Sequence, residues 1–137
     1  MDIEKPKRIL LVEDDDSLAS TYLVRMEAEG FVVLRVNNGE AALAAALEFH
    51  PNLVLLDVMM PKVSGLEVLD ILRNTPETAN LKIVILTALG QEGDMQRASQ
   101  LGADDYLVKS QVVISDVMKR IRFHLGIDEP EPGDKAA

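Results

Sequence analysis

Leu53-Val54-Leu55-Leu56-Asp57-Val58-Met59-Met60-Pro61 is the stretch on which the fold turns. A short unbroken apolar run reads as a strand buried on both faces, the habit of a parallel sheet. Asp57 ends the run, and a carboxylate at the mouth of a buried strand is costly to desolvate without partners. Further out, the apolar run Ile9-Leu10-Leu11-Val12 closes in the acidic cluster Glu13-Asp14-Asp15-Asp16. If these strands are neighbours, several carboxylates meet at one end of a sheet. Such a cluster asks for a divalent cation, and a cation beside a carboxylate points to phosphate chemistry.

Three more runs of strand length follow the same habit, at 31–36, 83–86 and 106–108. Segments of helical pattern separate them. The last is the clearest: Ile114, Val117, Met118, Ile121 and Leu125 fall at i, i+3, i+4, i+7 spacing, so one face is core. In the first, Leu18, Tyr22 and Met26 share a side, and Gly30 stands where a helix would stop. Asp15 or Asp16 is the expected cap of that helix. The second, 41–49, is rich in alanine and suited to close packing, whereas the fourth, 93–101, is weakly amphipathic. Strand and helix alternating five times predict a doubly wound α/β domain with a five-stranded parallel sheet. In such sheets the ligand crevice lies beyond the carboxyl ends of the strands. Glu13, Asp14, Asp57, Thr87 and Lys109 all stand at those ends.

At 137 residues, 47% of them hydrophobic, the chain suits one domain with one core. No apolar run nears the ~18 residues of a membrane span, and the polar start at 1–7 lacks a signal peptide's apolar centre. Without cysteine there is no disulfide, thiol nucleophile or thiolate metal site, and a cytoplasmic address is the expectation. A net charge of −9 argues against nucleic acid as a direct partner, since phosphate contacts demand Lys and Arg. The basic group Lys119, Arg120 and Arg122 reads as a solvated helix face. His50 and His124 read as surface residues without acidic partners, and neither as a phosphotransfer histidine. Met59 and Met60 read as loop and core filler. The stretch from Asp128 onward, with Glu129-Pro130-Glu131-Pro132-Gly133, is expected to be disordered.

Four motifs now stand in order: Ile9-Leu-Leu-Val-Glu-Asp-Asp, Leu55-Leu-Asp-Val-Met-Met-Pro, Ile85-Leu-Thr-Ala and Gly102-Ala-Asp-Asp-Tyr-Leu-Val-Lys. Together they resemble the receiver domain of two-component response regulators, chiefly a stand-alone chemotaxis-regulator-like receiver. The resemblance implies a flavodoxin-like (βα)5 sheet of order 2-1-3-4-5. It divides the chain into an N-terminal extension (1–7), the receiver domain (8–126) and a disordered tail or linker stub (127–137). Asp57 matches the phosphoacceptor. Glu13 and Asp14 match the acidic pair that holds Mg²⁺, joined by Asp57 and the backbone carbonyl of Met59. Lys109 matches the lysine on a phosphoryl oxygen, Thr87 the hydroxyl that moves onto the phosphoryl group, and Tyr106 the switch aromatic. The implied partners are a histidine kinase or histidine phosphotransfer protein and a downstream protein or output domain, with a homodimer possible. The domain would catalyse its own phosphorylation and dephosphorylation, turning over no small molecule.

Three features depart from that pattern or colour it. Ser110 stands where the family usually has proline, so the Lys109–Ser110 bond is expected to be trans unless extra contacts retain cis. Met59 and Leu89 occupy the positions that tune phosphoryl lifetime, and neither apolar side chain can position a water, which predicts slow self-dephosphorylation. Phe123 falls opposite the last helix's apolar stripe and, with Lys119 and Arg120, is assigned to the output surface of the fourth and fifth helices and last strand. Three other readings compete. A phosphorylation-independent docking module of the same fold would have a dead site, against the intact residues here. An aspartyl hydrolase of haloacid-dehalogenase type wants Asp-x-Asp-x-Thr after the first strand, which is absent. A flavodoxin would need hydroxyls and amides where this chain has carboxylates.

Overall fold

The computed structural model describes residues 5–88, 90 and 92–128. Its elements alternate throughout: β1 (Arg8–Val12), α1 (Asp16–Ala28), β2 (Val32–Val36), α2 (Gly39–Glu48), β3 (Leu53–Leu56), α3 (Gly65–Arg73), β4 (Lys82–Thr87), α4 (Glu92–Leu101), β5 (Asp105–Val108) and α5 (Ile114–His124), with a 3-10 turn at Lys109–Gln111. All pairings are parallel and the sheet order is β2-β1-β3-β4-β5. This is the flavodoxin-like order the resemblance implied, and it makes β1 and β3 adjacent, the condition under which the two acidic clusters meet.

Strand parity explains the unbroken apolar runs. Leu10, Val12, Val54, Leu56, Ile83 and Ile85 point to one layer, where Ala42, Ala45 and Ala46 of α2 and Val68, Leu69 and Leu72 of α3 meet them. Ile9, Leu11, Leu53, Leu55, Val84 and Leu86 point to the other, against Ala19, Tyr22 and Met26 of α1 and Val117, Met118 and Ile121 of α5. Both parities are buried, so neither can be polar. The edge strand β2 departs from the expectation of two buried faces: Val32 is 40% and Leu34 37% exposed. The alanine face of α2 sits over the central strands, and neither residue joins that core cluster.

Helix ends follow local chemistry. Asp15 caps α1 by accepting from Leu18 N at 3.0 Å, and Gly30 (φ 92°) takes the left-handed conformation just past its end. Asn38 and Ser64 cap α2 and α3 in the same way. Arg73 at the end of α3 donates to the carbonyls of Gly102 (2.9 Å) and Leu81 (2.5 Å) and pairs with Asp104 (2.8 Å), stapling α3 to the loop before β5. Of α4's residues, Ala98 alone is buried among those described, in keeping with its weak amphipathic pattern.

Several surface expectations need correction. His124 is no partnerless surface residue: its Nε2 lies 2.8 Å from Asp105 Oδ2, and its side chain is largely covered. Arg120 pairs with the same carboxylate at 2.7 Å. Arg122 pairs with Glu29 (2.6 Å) and Asp128 (2.7 Å), so the two arginines of the basic group are tied into ion pairs rather than standing on a merely solvated face. Phe123 is half-buried, its ring edge-on to His124 and beneath the Arg120 guanidinium, so it does not stand fully outward. Ile127 and Asp128, expected to open a disordered tail, are tied back to Arg122 through Ile127 N to Arg122 O (2.9 Å) and the Asp128 ion pair. The rest of that tail and Leu89 lie outside the described residues.

Candidate functional site

The strand ladders set the site. Glu13 N donates to Val36 O and Asp57 N to Val12 O, each at 3.1 Å, so both acids continue the sheet one residue beyond their strands. Their side chains emerge side by side at its carboxyl edge. Glu13 is 3% and Asp57 4% exposed, while Asp14 is exposed to solvent. Each of the three offers a carboxylate oxygen, and these oxygens all lie within 4.8 Å of one another.

Below Asp57 the chain turns sharply into α3. Met59 N donates to Asp57 Oδ1 at 3.1 Å, and Gly65 N to Val58 O at 3.0 Å. A Cβ on Gly65 would overlap the Asp57 carbonyl oxygen and stand 2.7 Å from Val58 Cα, so only glycine lets α3 come this close. Met60 is buried and Met59 exposed, as loop and core filler require.

Lys109 comes in from the end of β5. Its Nζ donates to Asp57 Oδ2 at 3.1 Å and lies 2.9 Å from Glu13 Oε1. The Lys109–Ser110 peptide is trans, as no cis bond occurs among the described residues, and the lysine still reaches Asp57. The following 3-10 turn makes the approach without proline. Burial alone would lower the Lys109 pKa, but its bonds to Glu13 and Asp57 outweigh this and raise it, keeping the ammonium charged. For Glu13 burial dominates and the pKa rises, opposed by Lys109 and the Asp15 amide.

Thr87 is fully buried at the end of β4. Tyr106, on β5 opposite Ile85, is half-buried against the α2–α4 side of the core. Its hydroxyl pKa is raised, first by burial and then by Asp94 of α4. Of the positions picked from sequence, Glu13, Asp14, Asp57 and Lys109 are brought together by their side chains, while Thr87 ends β4 and Tyr106 stands on β5 two residues before its end. The direct Glu13–Lys109 pair was not foreseen. Nor was Arg35, whose guanidinium grips the Glu13 carbonyl; no spacing rule links residues 22 apart across a parallel pair.

Three carboxylates against one ammonium leave an excess of negative charge. The donor set is all oxygen and small in span, which fits Mg²⁺ better than a soft metal. A network of this kind, at the carboxyl edge of an order 2-1-3-4-5 sheet, defines a class, and comparison with known proteins gives the same class. The response regulator receiver domain matches residues 9–122, and the chain belongs to that family. The phosphate regulon transcriptional regulatory protein PhoB of Rhizobium meliloti is 40% identical over 90% of this chain, which spans 54% of PhoB. The polar-differentiation response regulator DivK of Brucella anthropi is 33% identical, over 88% of this chain and 98% of DivK. The chain thus spans about half the length of PhoB and almost all of DivK. Among solved structures, the BeF3-activated N-terminal receiver domain of Klebsiella pneumoniae RstA superposes with a TM-score of 0.81 at 28% identity, over 87% of this chain and 98% of that one. No helix among the described residues is long and apolar enough to cross a membrane.

Proposed function

We propose that this receiver domain is a switch that accepts a phosphoryl group on Asp57 from a phosphohistidine of a histidine kinase or histidine phosphotransfer protein. An Asp57 carboxylate oxygen attacks phosphorus, an O–P bond forms, and the P–N bond to the donor imidazole breaks with its electrons. One observation carries the reading: a buried Asp57 whose carboxylate is shared between Lys109 and the Glu13/Asp14 cluster at the open edge of the sheet. An ordinary strand-end Asp has no use for so dense a charge network.

Glu13, Asp14, Asp57 and the Met59 carbonyl are the groups that would hold Mg²⁺. Bound there, the ion would offset the repulsion between Asp57 and an anionic phosphoryl group. Lys109 supplies a second positive charge, held close to Asp57 by its own ion pairs. Met59, two residues past Asp57, carries an apolar thioether that can position no water for attack on the acyl phosphate. Long phosphoryl lifetime follows.

The output is a changed surface. Thr87 draws toward the new phosphoryl oxygens and Tyr106 turns inward, altering the face built from α4, β5 and α5. That face, with Phe123, Lys119 and Arg120, serves a downstream protein, an output domain or a second copy, in the cytoplasm. Intact mass before and after a small phosphodonor with Mg²⁺ tests the reading. Gain of one phosphoryl group by the wild type and none by Asp57→Asn is expected. No gain in either would favour a docking module that works without phosphorylation.

A further inference from the structure

Arg35 stands behind the acidic edge rather than in it. It projects from β2, in register with Leu11 of β1. Its Nε and Nη2 both donate to the Glu13 carbonyl oxygen, at 3.0 and 2.7 Å, and Nη2 also lies 2.9 Å from Asp16 Oδ1. The Arg35 side chain is 23% exposed and that of Asp16 87%. An ion pair to so exposed a carboxylate is worth little, so the weight falls on the grip on Glu13.

We propose that Arg35 is a positioning residue for the divalent cation: its two-pronged hold on the Glu13 carbonyl sets the Glu13–Asp14 peptide and so aims both carboxylates toward Asp57. The inference rests on the metal reading given under the proposed function. Glu13, Asp14 and Asp57 bring like charges within 4.8 Å, and repulsion pushes the loop after β1 to open. The other tethers of this loop act elsewhere: Glu13 N to Val36 O (3.1 Å), Asp15 N to Glu13 Oε2 (3.1 Å), Lys109 Nζ to Glu13 Oε1 (2.9 Å), and the start of α1 on Asp15 through Leu18 N to Oδ1 (3.0 Å) and Ala19 N to the carbonyl (2.9 Å). Arg35 holds the Glu13 carbonyl, part of the Glu13–Asp14 peptide. Two N–H groups from one rigid plane fix the direction of that C=O as well as its place, which an ammonium does not.

Charge and positioning predict opposite signs. A guanidinium near the cluster repels a dication, so if its charge dominated, removing it would tighten Mg²⁺ binding. If positioning dominates, removal weakens binding although a positive charge has gone. Calorimetric titration with Mg²⁺ alone separates them, using the wild type, Arg35→Gln, Arg35→Lys and Asp16→Asn, with urea unfolding in chelator as the reference for stability. Arg35→Gln is expected to bind about tenfold more weakly, the low end for residues that orient metal ligands. Arg35→Lys, charged but without the planar fork, falls between Gln and wild type. Asp16→Asn stays within about twofold of wild type. Equal or tighter binding by Arg35→Gln overturns the proposal. A wild type that binds no Mg²⁺ overturns the metal reading itself, and this inference with it.

Discussion

Lys109 is the residue on which the site's balance depends. Its ammonium is shared by two buried carboxylates, and burial of like charges without it is expensive. Lys109→Met is therefore expected to destabilise the metal-free protein by about 2 kcal/mol, with protonation of Glu13 limiting the loss. The same variant should bind Mg²⁺ more tightly, because a competing cation has left; urea unfolding with and without Mg²⁺ checks both. Asp105 makes a second test. Burial would raise its pKa, but hydrogen bonds from His124 and Arg120 outweigh this and lower it. A lowered carboxylate pKa means stability that is present above the ordinary carboxylate range and is lost as pH falls through the folded value. Asp105→Asn should cost about 1–3 kcal/mol at neutral pH and flatten the acid limb of the stability profile, measured by denaturant unfolding from pH 7 to 3. The individual acids were legible in sequence because each ends an apolar run. The His124–Asp105 pair was not: it joins a strand to a helix 19 residues on, and no helical or strand period links them.

At the level of elements, the packing of α3 under Asp57 is the tightest joint and α4 the loosest. Gly65→Ala places a methyl group into the Asp57 carbonyl, and α3 must retreat. A loss of about 2–3 kcal/mol is expected, together with weaker Mg²⁺ binding, because Asp57 moves with the turn. Gly93→Ala is the contrasting case: nothing lies within 4 Å of the added carbon at the exposed first turn of α4. It should stabilise the protein by about 0.5–1 kcal/mol, and urea midpoints of the two variants moving in opposite directions would bear this out. Unbroken apolar runs disclosed the central strands, buried on both faces, and a helical period disclosed α5, buried on one. The exposure of Val32 and Leu34 on β2 left no such record, since β-branched and leucine side chains suit an edge strand and an interior one alike. The close approach at Gly65 was equally silent, since nothing in the sequence tells which backbone the first residue of α3 packs against.

For the whole molecule, folding gathers three carboxylates at one sheet edge, so the proposed cation site belongs to the folded state and not to the unfolded chain. Mg²⁺ should raise the unfolding temperature, with about 2.7 kcal/mol gained at a concentration a hundred times the dissociation constant. A chelator should reverse the shift, and Asp57→Asn should shrink it. The strand–helix alternation and the placing of residues 13, 14, 57 and 109 at strand ends followed from where polar residues interrupt apolar runs, whereas the order 2-1-3-4-5 came from the family resemblance. What lay beyond sequence was the set of supporting contacts, Arg35 on Glu13 and Arg73 across three segments, which depend on side chains crossing between neighbouring elements. The central claim is that Asp57 is the group that takes the phosphoryl, and chemical trapping tests it most directly. Borohydride reduces an aspartyl phosphate to homoserine, so the protein is treated with a small phosphodonor and Mg²⁺, reduced, digested and mapped by mass. Homoserine at position 57, and only with Mg²⁺ present, is the predicted result; homoserine at Asp14 or another aspartate, with residue 57 unchanged, would contradict it.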